Sequence, residues 1–276
     1  MEYIEVDCTV TPGGENIEIL IAFLGAVGYS MFEETEQGVK AYIDKELFSQ
    51  VNIDTIPLLN DDDVQVTYQV NIPENKNWNE EWEKNFKPVI IGKDIYVRAE
   101  YHEPDPSARF ELIIHPRMAF GTGHHATTSL VMEHMLDLDL KGKRILDMGC
   151  GTGILAILAT KMGASTVIAI DNDQNAVENA KVNCEINNAS SVNVYKGDGY
   201  SAGSDGYDVI IANINRNIIL EDLPAYVAVL KTGGLLVTSG YYMSDLAAIK
   251  LKASACGLTF KSNSESESWC RATFTK

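Results

Sequence analysis

The sequence predicts an α/β protein: a doubly wound sheet whose last strand runs antiparallel, preceded by a small α+β domain of ferredoxin-like type. Three observations carry this. From residue 128 onward, short apolar strand-like runs alternate regularly with helical patterns, the mark of parallel strands joined by crossover helices. The final two runs, "LTFKSNS" and "WCRATFT", have no helix between them, so the last strand returns antiparallel. Residues 1–72 read strand, helix, strand, strand, helix, strand, which is the βαββαβ split unit.

The elements follow in order. "YIEVDCTV" alternates, with Ile4, Val6, Cys8 and Val10 on one face, as a half-buried strand does. "GENIEILIAFLGAVG" reads as a helix ending near Gly28. "SMFEE" and "GVKAYID" form a strand pair, "KELFSQ" a short helix, and "VQVTYQV" alternates again. Trp78, Trp82 and Phe86 then recur four residues apart between Pro73 and Pro88, on one face of a short helix. The expected organisation is a domain over 1–72, a helical linker over 73–88 and a larger domain over 89–276. In that larger domain "IYVRA" and "FELIIHP" are short strands and 127–138 is a helix. Strands "RILDMG", "STVIAID", "VNVYKGD", "YDVIIANI" and "GLLVTSG" follow, with helices "ILAILATKMG", "QNAVENAKVNCEIN", "IILEDLPAYVAVL" and "DLAAIKLKASACG".

Composition narrows the class. Of 276 residues 45% are apolar, enough for a substantial core, and no run approaches the length of a membrane span. The acidic, alternating start "MEYIEVDCTV" has no secretory pattern, so a cytoplasmic location is expected. The five cysteines are scattered, without metal-ligand spacing, and read as reduced structural thiols. The net charge of −17 is uneven: residues 1–87 carry 18 acids and 5 bases, residues 88–276 carry 21 acids and 17 bases. Such a chain repels a phosphate backbone, which argues against direct nucleic-acid binding. The acidic front third is either a solvated surface or a module that attracts a basic partner.

"ILDMGCGTG" carries the strongest chemical signal. An apolar strand ends at Asp147, and Gly149, Gly151 and Gly153 make a tight turn into a helix. In open α/β sheets ligands bind at the carboxyl ends of the strands, and glycines there let a ligand approach the backbone. The spacing is G-x-G-x-G with Ile154 where a dinucleotide fingerprint needs glycine, and no Gly-Lys-Ser/Thr ending is present. Asp171 ends the second strand, where a carboxylate can accept from ribose hydroxyls; Asn172 or Asp173 is the better helix cap. Asp198, after the third strand, is either a turn aspartate or, as the resemblance of this turn to class I S-adenosylmethionine-dependent methyltransferases implies, a contact of the adenine amino group. Asn213 ends the fourth strand, and Asn215 beyond it suits a helix cap.

The D-x-G-x-G-x-G form resembles the first motif of class I S-adenosylmethionine-dependent methyltransferases. "WNEEWEKNFKP", "MAFGTGHHATTSL", "ILDMGCGTGILAI", "AIDND" and "ANI", in this order, further resemble the ribosomal protein L11 methyltransferase family, over nearly the whole chain and most densely from 78 to 240. The resemblance implies a class I methyltransferase fold. It also implies methyl transfer from S-adenosylmethionine to lysine side chains, and to the N-terminal amine, of one large-subunit ribosomal protein. It implies that Thr128 closes a loop over the cofactor, Gly149 lies against its methionine portion, Asp171 holds the ribose, and Asn213 lies by the sulfonium and the target amine. Phe120, Gly121 and Thr127 are then neighbours in that loop, and residues 1–72 a substrate-recognition domain.

In-line methyl transfer needs alignment and exclusion of water more than a dedicated base, and no catalytic residue is named. His124 and His125 lack a third ligand at recognisable spacing, so no metal is expected; packing, hydrogen bonding or proton acceptance remain open for them. The expected substrate is the free ribosomal protein and the expected state a monomer. Alternatives are a methyltransferase for another protein or a small-molecule amine, a nucleic-acid base methyltransferase, and a non-enzymatic binding protein.

Overall fold

The structure, a computed structural model, describes residues 3–35, 37–45, 47–48, 53, 56–60, 64–72, 86–115, 121–203 and 206–276. The chain forms two compact units, Met1–Trp78 and Asn79–Lys276. Most of the linker helix expected over 73–88, with Trp78 and Trp82, lies outside the described residues, as does half of the expected helix "KELFSQ".

In the first unit β1 (Tyr3–Thr11) is followed by α1 (Glu15–Ala26), β2 (Met31–Thr35), β3 (Gly38–Asp44) and β4 (Gln65–Asn71). The sheet order is β2-β3-β1-β4, and every adjacent pair is antiparallel. β1 and β2, joined through α1, are separated by β3, as a split βαβ unit requires. Alternation along β1 buries Ile4, Val6, Cys8 and Val10, which join Leu20 and Leu24 of α1 and Val39, Ala41 and Ile43 of β3 in one core.

The second unit opens with a three-stranded sheet of β5 (Val89–Ile91), β6 (Ile95–Arg98) and β7 (Phe110–Ile113). Its main sheet has seven strands: β8 (Arg144–Met148), β9 (Thr166–Asp171), β10 (Val192–Lys196), β11 (Tyr207–Asn213), β12 (Leu230–Tyr242), β13 (Thr259–Ser266) and β14 (Trp269–Thr275). Their order is β10-β9-β8-β11-β12-β14-β13. The first five are mutually parallel, and β14 runs antiparallel to both neighbours, as the missing helix predicted. The helices are α2 (Ala126–Leu136), α3 (Ile154–Lys161), α4 (Gln174–Ile186), α5 (Arg216–Val229) and α6 (Leu246–Ala255).

The central parallel strands β8 and β11 are buried on both faces, which explains their near-continuous apolar runs. Ile145, Val209 and Ile211 point into the core shared with α2, α3 and α4. The alternate residues Leu146, Ile210 and Ala212 point into the core shared with α5 and α6. The winding starts at β8, proceeds to β10, then restarts at β11 on the other side of β8. That reversal opens a crevice at the carboxyl ends of β8 and β11. The cysteines are all free, and among the described residues no helix is long and apolar enough to cross a membrane.

Candidate active site

From the end of β8 the chain turns through Gly149-Cys150-Gly151-Thr152-Gly153 into α3. All three glycines have left-handed backbones, with φ of 68°, 52° and 77°. At Gly149 the requirement is also spatial, because a Cβ there would overlap Cγ2 of Ile214. The Gly149 and Cys150 N–H groups donate to the Ile170 carbonyl at 2.8 and 3.0 Å. The Gly151 N–H donates to Oδ2 of Asp171 at 2.9 Å, and the Asp173 N–H to its Oδ1 at 3.0 Å. The tip of β9 is thereby tied to the glycine turn through the Asp171 carboxylate. Asp173 itself caps α4, accepting from the Asn175 N–H at 2.9 Å.

Behind the turn Asp147 is fully buried. Its Oδ2 accepts from the Ala156 N–H at 3.1 Å, standing in for a cap at a helix whose cap residue is the side-chain-less Gly153. Its Oδ1 has no partner among the described residues. Burial pushes this carboxyl up to about 7; the Ala156 hydrogen bond opposes that rise and the Asp171 charge adds to it.

Across the crevice Asn213 ends β11, buried. Its Nδ2 donates to Oγ1 of Thr128 at 3.3 Å, while its Oδ1 is buried with no partner among the described residues. Thr128 is fully buried in the first turn of α2, its N–H donating to the His125 carbonyl at 3.0 Å. The next residues, Ile214 and Asn215, cross the end of β12. The Ile214 N–H donates to the Ser239 carbonyl at 3.1 Å, and Gly240, with φ of 93°, leaves room where a Cβ would overlap the Ile214 carbonyl. Asn215 caps α5, accepting from the Asn217 N–H at 2.7 Å.

The two histidines left undivided by the sequence have different places. His124 uses both ring nitrogens on structure: Nδ1 meets the Thr122 hydroxyl at 3.1 Å and Nε2 the Lys87 carbonyl at 2.8 Å. Its ring also packs edge-on against Phe86 at 4.9 Å. His125 caps α2: its Nδ1 accepts from the Thr127 N–H at 3.3 Å and meets the Thr127 hydroxyl at 2.8 Å. His125, but not His124, lines the crevice.

These groups enclose a cleft of about 450 Å³. Gly149, Asp171 and Asn213 line it together. Thr128 stands behind Asn213, and it is Thr127 that reaches the cleft. Gly121 is held by the Thr152 hydroxyl through its carbonyl, and Phe120 lies outside the described residues. Asp198 both lines the cleft and caps a short turn, its Oδ1 accepting from the Tyr200 N–H at 3.0 Å and the Ser201 hydroxyl at 2.8 Å. Among the described residues no group of three or more His, Cys, Asp or Glu side chains is arranged to hold a metal ion.

Among the further cleft residues that escape sequence reasoning are Asp222, Gly240 and Trp269. Asp222 is buried on α5 and accepts from the Tyr226 hydroxyl at 3.1 Å. Burial raises its carboxyl above the ordinary aspartate value, the Tyr226 hydrogen bond opposes this, and the Glu221 and Asp198 charges add to it. Its three-residue phase from Ile219 is the one signal that would turn it towards the sheet. The cleft therefore has a glycine floor, three carboxylates, one orphaned buried amide oxygen and an apolar wall that includes Met148, Ile214 and Ile218.

The family model described as ribosomal protein L11 methyltransferase matches residues 22–276. The chain is 42% identical to a protein of that name from Phocaeicola vulgatus, over 99% of both chains. It is 43% identical to one from Bacteroides thetaiotaomicron, over the whole of both. Among solved structures, a ribosomal protein L11 methylase from Lactobacillus delbrueckii subsp. bulgaricus superposes with a TM-score of 0.64 at 24% identity, covering 69% of this chain and 99% of that one. Strand order, glycine turn and cleft are those of a class I methyltransferase fold, and the chain belongs to the ribosomal protein L11 methyltransferase family.

Proposed function

We propose that this protein transfers methyl groups from S-adenosylmethionine to lysine side-chain amines, and to the N-terminal amine, of ribosomal protein L11. The observation that carries the reading is the Asn213 Oδ1: a buried acceptor with no partner among the described residues, in the wall of the cleft that the glycine turn floors. A buried amide oxygen left unmatched is costly unless a donor arrives, and an amine brings N–H donors.

The cleft suits the cofactor. Gly149 opens the floor where a Cβ would meet Ile214, and Asp171 presents a carboxylate whose described bonds leave acceptor capacity for ribose hydroxyls. Gly149, Asp171 and Asn213 would hold S-adenosylmethionine, with Thr128 acting through the Asn213 amide. When bound, that cofactor supplies a methyl group activated by a sulfonium charge. The protein's part is alignment: Asn213 Oδ1 accepts an N–H of the incoming amine and so aims its lone pair. A lysine ammonium has a reference pKa near 10.4 and must shed a proton first. The apolar wall of Met148, Ile214 and Ile218 desolvates the ammonium and lowers that value. Asp171, Asp198 and Asp222 give the cleft a negative field that draws cationic groups in. His125 is spent on capping: with Nδ1 accepting from Thr127, the neutral ring carries its hydrogen on Nε2.

The first unit is the recognition domain in this reading, the protein acts as a monomer in the cytoplasm, and residues 1–87 with 18 acids and 5 bases suit a basic ribosomal protein. The same charge repels ribosomal RNA, so the free ribosomal protein is the substrate rather than the assembled subunit. Mass spectrometry of unmodified ribosomal protein L11, incubated with enzyme and S-adenosylmethionine, tests this. Added mass in 14-Da steps (the mass of about one methylene, ~14) on lysines of the free protein is expected. No added mass refutes the reading, and equal rates on assembled large subunits refute the preference for the free protein.

A further inference from the structure

We propose that Trp269, backed by Tyr242 and edged by His125, is the wall that receives the aliphatic stem of a lysine side chain and so sets the preference for side-chain over N-terminal amines. The inference rests on the amine-methylation reading above. Asn213 Oδ1 serves the tip of either kind of amine. A lysine brings four methylenes between backbone and nitrogen, and an N-terminal amine brings none. A flat aromatic wall therefore has something to hold in the first case alone.

The structure invests in placing this indole. Trp269 begins β14 straight after a two-residue turn, Glu267-Ser268, whose φ values are 51° and 68°. Such a turn suits a tight hairpin, but glycine or asparagine is its usual occupant, and strain held by other residues clusters at functional sites. The Ser268 carbonyl is pinned by the Met243 N–H at 2.8 Å. Tyr242 is the register partner of Trp269 across β12 and β14, and the rings stack with centroids 4.2 Å apart and planes 28° apart. A register shift in β12 between Thr238 and Tyr241, containing the left-handed Gly240, turns Tyr241 into the core at 2% exposure and leaves Tyr242 beside Trp269 at 50%. His125 meets the indole edge-on, 4.7 Å between centroids. The His125 carbonyl also holds the Thr128 N–H, and Thr128 holds the Asn213 amide. One loop residue thus touches the proposed wall and, through Thr128, steadies the acceptor for the tip.

The test compares wild-type, Trp269→Ala, Trp269→Phe and Tyr242→Ala proteins on unmodified ribosomal protein L11, with mass spectrometry locating each methyl group. Trp269→Ala is expected to lower kcat/KM for side-chain amines roughly tenfold, the worth of about two unburied methylenes. N-terminal methylation should fall by a clearly smaller factor, so that the side-chain to N-terminal ratio drops, because the N-terminal amine brings no stem to the wall. Trp269→Phe should recover most of the loss, and Tyr242→Ala should shift the side-chain to N-terminal ratio in the same direction as Trp269→Ala. Equal losses on both amine classes, or an unmoved ratio, overturn the proposal; if Trp269→Ala does not fold, an unmoved ratio in Tyr242→Ala overturns it. A wild-type protein that methylates neither amine overturns the amine-methylation reading itself, and this inference with it.

Discussion

Asp147 makes the protein's stability depend on pH in a direction opposite to that of an ion-paired aspartate. Its carboxyl moves from an unfolded value of 3.8 to about 7 in the folded chain. Below pH 3.8 both states are protonated and the group contributes nothing. Between the two values the unfolded chain gives up its proton and the folded one keeps it, so stability falls as pH rises, by about 1.4 kcal/mol per unit. Above pH 7 the folded protein holds a buried charge and the full cost, about 4 kcal/mol, is expressed; about 3 kcal/mol of it falls between pH 5 and pH 8. Asp147→Asn keeps an acceptor for the Ala156 N–H and abolishes the titration. Urea unfolding followed by circular dichroism at pH 5 and pH 8, on wild type and variant, measures the effect as a double difference. The variant should gain on wild type by about 3 kcal/mol across that interval. Half-buried His134, whose pKa is lowered by burial and then by Arg271, loses its contribution as pH falls. That contribution is common to both proteins and cancels. Stability curves that stay parallel within about 0.5 kcal/mol would refute the idea that this carboxyl is held neutral behind the glycine turn.

Other expectations follow from the same geometry. Gly149→Ala sets a methyl against Ile214 at a left-handed residue, and should cost about 1–3 kcal/mol of stability and at least about tenfold in cofactor affinity; melting and calorimetry read both. Asp171→Ala leaves the Gly151 and Asp173 N–H groups without their acceptor and should weaken S-adenosylmethionine binding by about 1–3 kcal/mol; unchanged affinity would remove Asp171 from the site. His125→Ala should cost about 0.5–2 kcal/mol through the lost cap, whereas His125→Asn, a stronger cap, should restore stability and hold kcat within about tenfold of wild type. A far larger loss of kcat in a stable His125→Asn protein would assign the ring a chemical role.

Some parts of the cleft are legible from local sequence. "DMGCGTG" announces its turn because left-handed glycines and an apolar strand end sit within seven residues of one another. Asp171 and Asn213 are legible for a topological reason: carboxyl ends of neighbouring parallel strands must meet at one edge of the sheet. Trp269 and Gly240 are not, since their places depend on an irregularity in β12 and on a two-residue turn, and a shift of one residue would send the Trp269 indole to the other face. Asp222 depends on the rotational phase of α5, which a helix carrying Pro224 in its interior does not advertise. His124 and His125 are chemically alike and adjacent. What separates them is the backbone path, which turns one towards Lys87 and Phe86 and the other onto the first turn of α2.

The reversed direction of β14 decides where the cleft can change length at least cost to the sheet. The glycine floor of the cleft is built from strand-to-helix junctions of the parallel sheet, where an insertion disturbs a crossover and the register beyond it. Trp269 arrives instead on a hairpin whose turn, Glu267-Ser268, is held within the sheet by one neighbouring amide and can be lengthened without rethreading any crossover. The two halves of the cleft therefore differ in what a change of length costs: at the floor it displaces a crossover of the parallel sheet, and at the hairpin it stays within one turn.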